Sequence, residues 1–396
     1  MSAADTAFVL FATALVLMMT LPGLALFYGG LVRARNVLSV FMQCFAIAAL
    51  MSVLWFLAGY SIAFGGTGGS WGGFWGGLAR AGLSGVTTET LTGALPETAF
   101  FAFQMTFAII TPALFLGAFA ERVSFAFVLV FSALWMLIVY APVAHWVWGS
   151  GFMADGGIFG DTGTKDFAGG IVVHETAGLA ALLLAAMIGP RRNRTTPPHA
   201  PGLVAIGAGL LWVGWFGFNG GSALAAYGQA AMAITVTHLS AASASLSWAL
   251  WERVKFGRAS LVGIVTGTIA GLASITPASG YVGPWAALLI GGIAGILCQE
   301  AVALVRNRLK IDDTLDVFAV HGVGGIFGTL TIAALGAASW TAQAGALLIV
   351  GAWTLGASYM LARLTALAFP MRVDQEAEHN GLDLSSHGER AYELNS

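Results

Sequence analysis

The sequence predicts an all-α polytopic membrane protein of eleven transmembrane helices, built as inverted five-helix repeats plus one extra helix. Three observations predict it: a composition too poor in charge for a water-facing surface, apolar runs of spanning length, and a one-sided distribution of basic residues. Hydrophobic residues make up 58% of the 396-residue chain and charged ones 9%, against about 25% charged in soluble domains. The mean hydropathy is +0.82. The apolar runs reach the roughly 20 residues that a helix needs to cross the hydrocarbon core, too long and too uniformly apolar for barrel strands.

The runs and their breakers place spans near 5–31, 37–65, 98–119, 123–145, 166–189, 200–217, 227–251, 260–276, 283–306, 314–337 and 342–370. Residues 1–373 form the transmembrane domain: repeat one covers about 5–189, repeat two about 200–337, and the eleventh helix about 342–370. The polar segment 374–396 reads as a tail. The Gly- and Trp-rich stretch Gly65–Gly77 reads as an interfacial loop. The first apolar run lacks a basic leader and is expected to be retained as a span.

An odd number of spans puts the two ends on opposite sides, and the basic residues test that count. Arg33, Arg35, Arg122, Arg191, Arg192, Arg194, Arg253, Lys255, Arg258, Arg306, Arg308, Lys310, Arg363, Arg372 and Arg390 fall on one side, Arg80 and Lys165 on the other. Basic residues accumulate on the cytoplasmic side. The N-terminus is therefore expected outside and the tail inside.

Glycine, at 53 residues, is about twice as frequent as usual, which suits helices packed closely within a membrane. Cys44 and Cys298 both fall in apolar runs and read as buried free thiols.

The two halves share an echo. Asp166 and His174 open the fifth span, and Asp313 and His321 open the tenth, each as Asp-x7-His. Eight residues advance about 12 Å along a helix. Five spans apart, the two helices enter from opposite faces, so both histidines are expected near mid-membrane, where inverted-repeat transporters place their substrate site. Ionisable groups at that depth line a pathway or pair with one another. A facing imidazole pair sharing one proton offers a donor and an acceptor to a small polar solute.

Other residues are less decisive. Phe103 and Phe107 in the third span, Trp146 and Trp148 after the fourth, and Trp215, Phe216, Phe218 and Asn219 in the sixth fit either an interfacial aromatic belt or a cup of ring faces for a cation. Glu121, Glu252 and Glu300 stand beside Arg122, Arg253 and Arg306 and suggest interfacial pairing or capping. Asp166 is expected to cap its helix. His174-Glu175 begins like the zinc motif H-E-x-x-H, but position 178 is Gly, so no metal, cofactor or catalytic residue is expected, and the chain is not read as an enzyme.

Taken together, five segments resemble the Amt family of ammonium transporters (Amt/Mep/Rh superfamily) over essentially the whole chain: Pro22–Gly30, Gly117–Arg122, Asp166–His174, Trp215–Asn219 and Val320–Gly322. The resemblance implies ammonium/ammonia transport; methylammonium or another small amine is the runner-up substrate. It implies an outer recruitment site at Phe107, Trp148 and Ser222, a gate of Phe107 and Phe218, twin pore histidines at His174 and His321, a pore-wall Trp215, and Asp166 supporting the outer site. It also implies a homotrimer in the lipid of a bacterial cytoplasmic (inner) membrane. The tail stretch Gly381–Tyr392 resembles the regulatory tail on which a PII-type signal protein acts. No nucleic acid is implied. Glu175 departs from the family, where an apolar residue is expected. The alternative is an ammonium sensor signalling through the tail, which looks too short for an output domain.

Overall fold

The computed structural model describes residues 1–66, 71–193 and 197–392. Outside the described residues lie 67–70 of the interfacial loop, Arg194 of the basic set and 393–396 of the tail. Among the described residues, nine helices are long and apolar enough to cross a membrane. They are α1 (Ala3–Leu31), α2 (Ala34–Phe64), α3 (Glu97–Phe119), α4 (Phe125–Val147), α5 (Gly170–Ile188), α6 (Pro201–Gly220), α8 (Leu261–Ala278), α9 (Pro284–Leu309) and α11 (Trp340–Thr365).

Two more helices stand at the seventh and tenth sequence spans. Helix α7 (Gly228–Phe256) has 29 residues, but Gln229, Thr235, His238 and a run of serines dilute its hydropathy. Helix α10 (Phe318–Ala334) is apolar but shorter. One small hairpin, β1 (Leu91–Thr92) with β2 (Leu95–Pro96), precedes α3. Two short tail helices follow α11: α12 (Gln375–Asn380) and α13 (Leu382–His387). The face carrying them is called the tail face here, and the opposite one the loop face.

The fifth and tenth helices begin later than the sequence suggests, at Gly170 and Phe318. The reason is the aspartates themselves. The Asp166 carboxylate accepts backbone N–H groups from Gly169, Gly170, Ile171 and Val172 at 2.6–3.0 Å. These are the donors that a helix start leaves unpaired, so Asp166 stands before the helix. Asp313 likewise accepts from Phe318 N–H at 2.7 Å. Both helices open with a widened turn, Gly170–Glu175 and Phe318–Gly322, a local distortion frequent at functional sites.

Helices α5 and α10 cross on glycine. A Cβ on Gly178 would collide with the backbone N and Cα of Gly322, and one on Gly325 would lie 2.6 Å from Gly170 O and 2.7 Å from His174 Cβ. Only bare backbone permits this approach, and the approach brings the two histidine-bearing helices together. Both cysteines are buried and free.

At the tail face the acidic residues choose partners distant in sequence. Glu121, in a left-handed conformation (φ 73°), bridges Arg33 at 3.2 Å and Arg191 at 3.4 Å. This corrects the expected pairing with Arg122. The turn after α3 sends the two neighbouring side chains apart, and the buried Arg122 instead donates to Thr314 Oγ1 and to the carbonyls of Ala118, Asp312 and Gly189. Burial lowers the Arg122 guanidinium to about 10, against the attraction of Asp312. Glu300 pairs with Lys255 at 2.6 Å, Arg306 with Asp316 at 2.6 Å, and Glu252 accepts from Ser260.

The tail docks on the same face. Glu378 meets Arg372 at 2.7 Å, Asp383 accepts from Ser39 N–H at 2.7 Å, and Leu382 N–H donates to Asn36 Oδ1 at 2.8 Å. Gly381 (φ 97°) lies so close to Arg35 that a Cβ would sit 2.5 Å from its Cγ.

Candidate functional site

A file of three cavities runs along the axis where α5 and α10 cross. The loop-face cavity, of about 510 Å³, is lined by Gln104, Phe107, Trp148, Asp166 and Ser222 among others. A central slot of about 10 Å³ is lined by Tyr28, Ile110, Leu114, His174, Trp215, Phe218 and His321. That volume holds about one water-sized molecule. The tail-face cavity, of about 830 Å³, includes Phe27, Tyr28, Asp316 and His321 in its lining. His321 therefore borders both the slot and the tail-face cavity.

Two stacked rings separate the loop-face cavity from the slot. Phe107, from α3, lies 4.2 Å from Phe218, from α6, centroid to centroid, with the planes 26° apart. Trp148 meets Phe107 edge-on at 5.8 Å and 88°. Its indole N–H donates to Asp166 O at 2.7 Å, so the residue that caps α5 also aims the tryptophan. The Ser222 hydroxyl donates to Phe218 O at 2.8 Å.

Below the rings, His174 and His321 approach Nδ1 to Nδ1 at 3.3 Å, their rings tilted by 31°. A hydrogen bond there requires one Nδ1 to carry the proton and the other to be bare. The protonated ring is then an acceptor at Nε2 and its partner a donor at Nε2. One shared proton thus gives the slot one donor and one acceptor. His174 Nε2 is buried and has no hydrogen-bond partner among the described residues. Trp215 lies along His174 at 5.5 Å and 27°, fixed by its own N–H to Thr276 Oγ1 at 2.8 Å.

The sequence-predicted residues thus fall in one column: Phe107, Trp148, Ser222 and Asp166 around the loop-face cavity, Phe218, His174, Trp215 and His321 around the slot. Glu175 is directed elsewhere. Its Oε1 lies against Gly351 of α11, where an added Cβ would be 3.3 Å away, and its Oε2 has no partner among the described residues. Trp146 is neither cup nor lipid belt. It is buried, donates to Phe74 O at 2.8 Å and packs on Phe152 and Trp353, anchoring the loop.

Several lining residues escaped the sequence reading. Tyr28 lines both the slot and the tail-face cavity and donates to Leu114 O at 2.8 Å. Gln104 lines the loop-face cavity with its Oε1 unpartnered among the described residues. It stands three positions before Phe107, one helical turn away, and that spacing is the signal that marks it. At the tail-face mouth, burial raises Asp312, but bonds and charge from Arg191, at 2.9 Å, outweigh it and hold the carboxyl below its usual value.

Stacked apolar helices around a column that narrows to the histidine slot define a multi-pass membrane transporter. The description Ammonium Transporter Family matches residues 7–392. An ammonium transporter of Bacillus subtilis is 41% identical, over 99% of both chains. Ammonium transporter Amt1 of Archaeoglobus fulgidus is 42% identical, over 99% of this chain and all of that one. Among solved structures, Mep2 of Saccharomyces cerevisiae aligns with a TM-score of 0.83 at 33% identity, over 95% of this chain and 90% of that one. This chain belongs to the ammonium transporter family, whose members are membrane transporters and not enzymes.

Proposed function

We propose that the protein passes ammonium across the membrane by splitting it: the cation is captured at the loop face, deprotonated, and conducted as ammonia through the slot. Phe107 and Trp148 present ring faces and Ser222 a hydroxyl oxygen to the arriving cation. Asp166 holds the start of α5 and aims Trp148, so it supports the capture site without touching the cation. Phe107 and Phe218 part to admit one molecule. Ammonia then moves past His174, Trp215 and His321, donating to a bare Nε2 and accepting from a protonated one.

Potassium resembles ammonium in size and charge, so capture alone does not separate them. The slot does. An intact ion entering so small and apolar a space loses its hydration without replacement. Ammonium alone can leave a proton behind. The proton travels separately, through the histidine pair.

The helices α1 to α11 are read as eleven spans in two inverted repeats, with residues 1–373 as the transport domain. The loop face, with Arg80 and Lys165, is outside, and the Arg-rich tail face is cytoplasmic, in a bacterial inner membrane. The working unit is a homotrimer with one pore per subunit. A PII-type protein docks at the tail face, on residues 374–396 and the loops they contact. Glu175, facing α11 and not the slot, leaves conduction intact.

The Nδ1–Nδ1 contact inside a slot sized for one small molecule is the observation that most favours this reading. The test is ammonium uptake and current in proteoliposomes. Wild type is expected to take up ammonium with an inward current, and the His174→Ala/His321→Ala protein to lose the current. An uptake with no current in wild type would remove proton transfer through the histidines. Equal uptake and current in both proteins would remove their role altogether.

A further inference from the structure

The loop-face cavity holds a feature that capture as described above does not use. Among its described lining residues the basic one is Lys165, and the acidic ones are Asp155 and Asp166. The Lys165 Nζ lies 3.1 Å from Asp155 Oδ1. Both ends of this pair are set by the fold. Gln343 of α11 clamps the Lys165 backbone, accepting from its N–H at 2.9 Å and donating to its O at 2.8 Å. The Asp155 loop is closed by Thr164 N–H to Met153 O at 2.9 Å and Gly157 N–H to Ala154 O at 2.9 Å.

The two partners are unequally wet: the Lys165 side chain is 24% exposed and that of Asp155 66%. Exposed pairs are weak and open readily to competitors. The head of a lysine is itself a primary ammonium, with the charge and N–H donors of the cation the cavity is read to capture. Asp166 cannot serve as the competing anion, because four backbone N–H groups already occupy its oxygens.

We propose that Asp155 and Lys165 form a charge valve at the mouth of the capture cavity. Asp155 draws the substrate cation in, and Lys165, its resident ammonium, sets the external concentration needed to displace it. This rests on the capture reading of Phe107, Trp148 and Ser222. Neutralising Lys165 leaves Asp155 free and should lower the KM for ammonium about threefold, the scale of one charge acting through water across such a cavity. Neutralising Asp155 leaves the lysine unopposed and should raise KM by about the same factor. Removing both restores the local charge and should return KM close to wild type. The maximal rate moves less than KM in all three, because neither residue reaches the slot.

The experiment measures ammonium uptake in proteoliposomes, with KM and maximal rate at low and at physiological ionic strength, for wild type, Lys165→Met, Asp155→Asn, the double variant, Lys165→Arg and Trp148→Ala. The valve predicts opposite KM shifts in the two single variants, both shrinking with salt, cancellation in the double variant, and Lys165→Arg near wild type. Unshifted KM values, or shifts in the same direction, overturn it. If Lys165→Met does not assemble, Asp155→Asn carries the test alone, and an unchanged KM there overturns the valve. Trp148→Ala separates the two levels: if it leaves KM unchanged the capture reading fails, and if it raises KM while the charge variants do nothing only the valve fails.

Discussion

The two Asp-x7-His arms share a pattern and differ in what surrounds it. Asp166 spends both carboxylate oxygens on four backbone N–H groups and is thereby pinned at the start of α5. Asp313 accepts from Phe318 N–H, while its Oδ1 is buried without a partner among the described residues. Its neighbour Asp316 is left-handed (φ 58°) and ion-paired to Arg306. Asp312 meets Arg191, which also meets Glu121. The loop-face arm is a rigid cap that also orients Trp148. The tail-face arm sits in a network of charges that reaches the tail through Glu121, Asn36 and Leu382. One motif thus positions a histidine by two different means, and only the second is open to whatever touches the tail.

The largest expected effect breaks the rigid arm. Asp166→Ala orphans four buried N–H groups and should cost about 3 kcal/mol, read as a lower thermal midpoint in detergent, with Asp313→Ala costing about 1 kcal/mol. Equal losses would remove the distinction between the arms. Next comes the crossing they share. Gly178→Ala forces α5 from α10 at Gly322 and should cost about 2 kcal/mol, with transport falling further than stability because the histidine contact widens. Wild-type uptake in that variant would mean that the crossing does not set the slot.

Smaller again is release of the tail. Asp383→Ala removes the acceptor of Ser39 N–H and should cost about 1 kcal/mol, seen as faster amide exchange in α13 and at Val37–Ser39 without loss of assembly. Smallest is Glu175→Gln, which keeps the side chain's shape against α11 and should leave ammonium uptake within about twofold. A tenfold loss would place that carboxyl in the conduction path.

Much of this was legible in the sequence, and for definite reasons. Apolar runs of spanning length are a one-dimensional signal, so α1 to α6, α8, α9 and α11 fall where hydropathy places them. The histidines were legible because two positions repeated the same spacing to the same aspartate. What escaped depends on chain separation. Glu121 was read beside Arg122, but the left-handed turn turns it toward Arg33 and Arg191. Lys165 and Asp155 meet because a loop on the loop face closes on itself, and Gln343 finds Lys165 across 178 residues of chain. The widened turns at Gly170–Glu175 and Phe318–Gly322 carry no compositional mark beyond their glycines. Trp146 and Trp148, two residues apart, read alike, and only the fold sends one to the loop and the other to the cavity.

The central claim is that the space between Phe218 and His321 admits a small neutral molecule and refuses an intact ion. Current through wild-type proteoliposomes under a potassium gradient, compared with an equal ammonium gradient, tests it most directly. The account predicts an ammonium response and no potassium current above empty vesicles. A potassium current comparable to the ammonium one would contradict it.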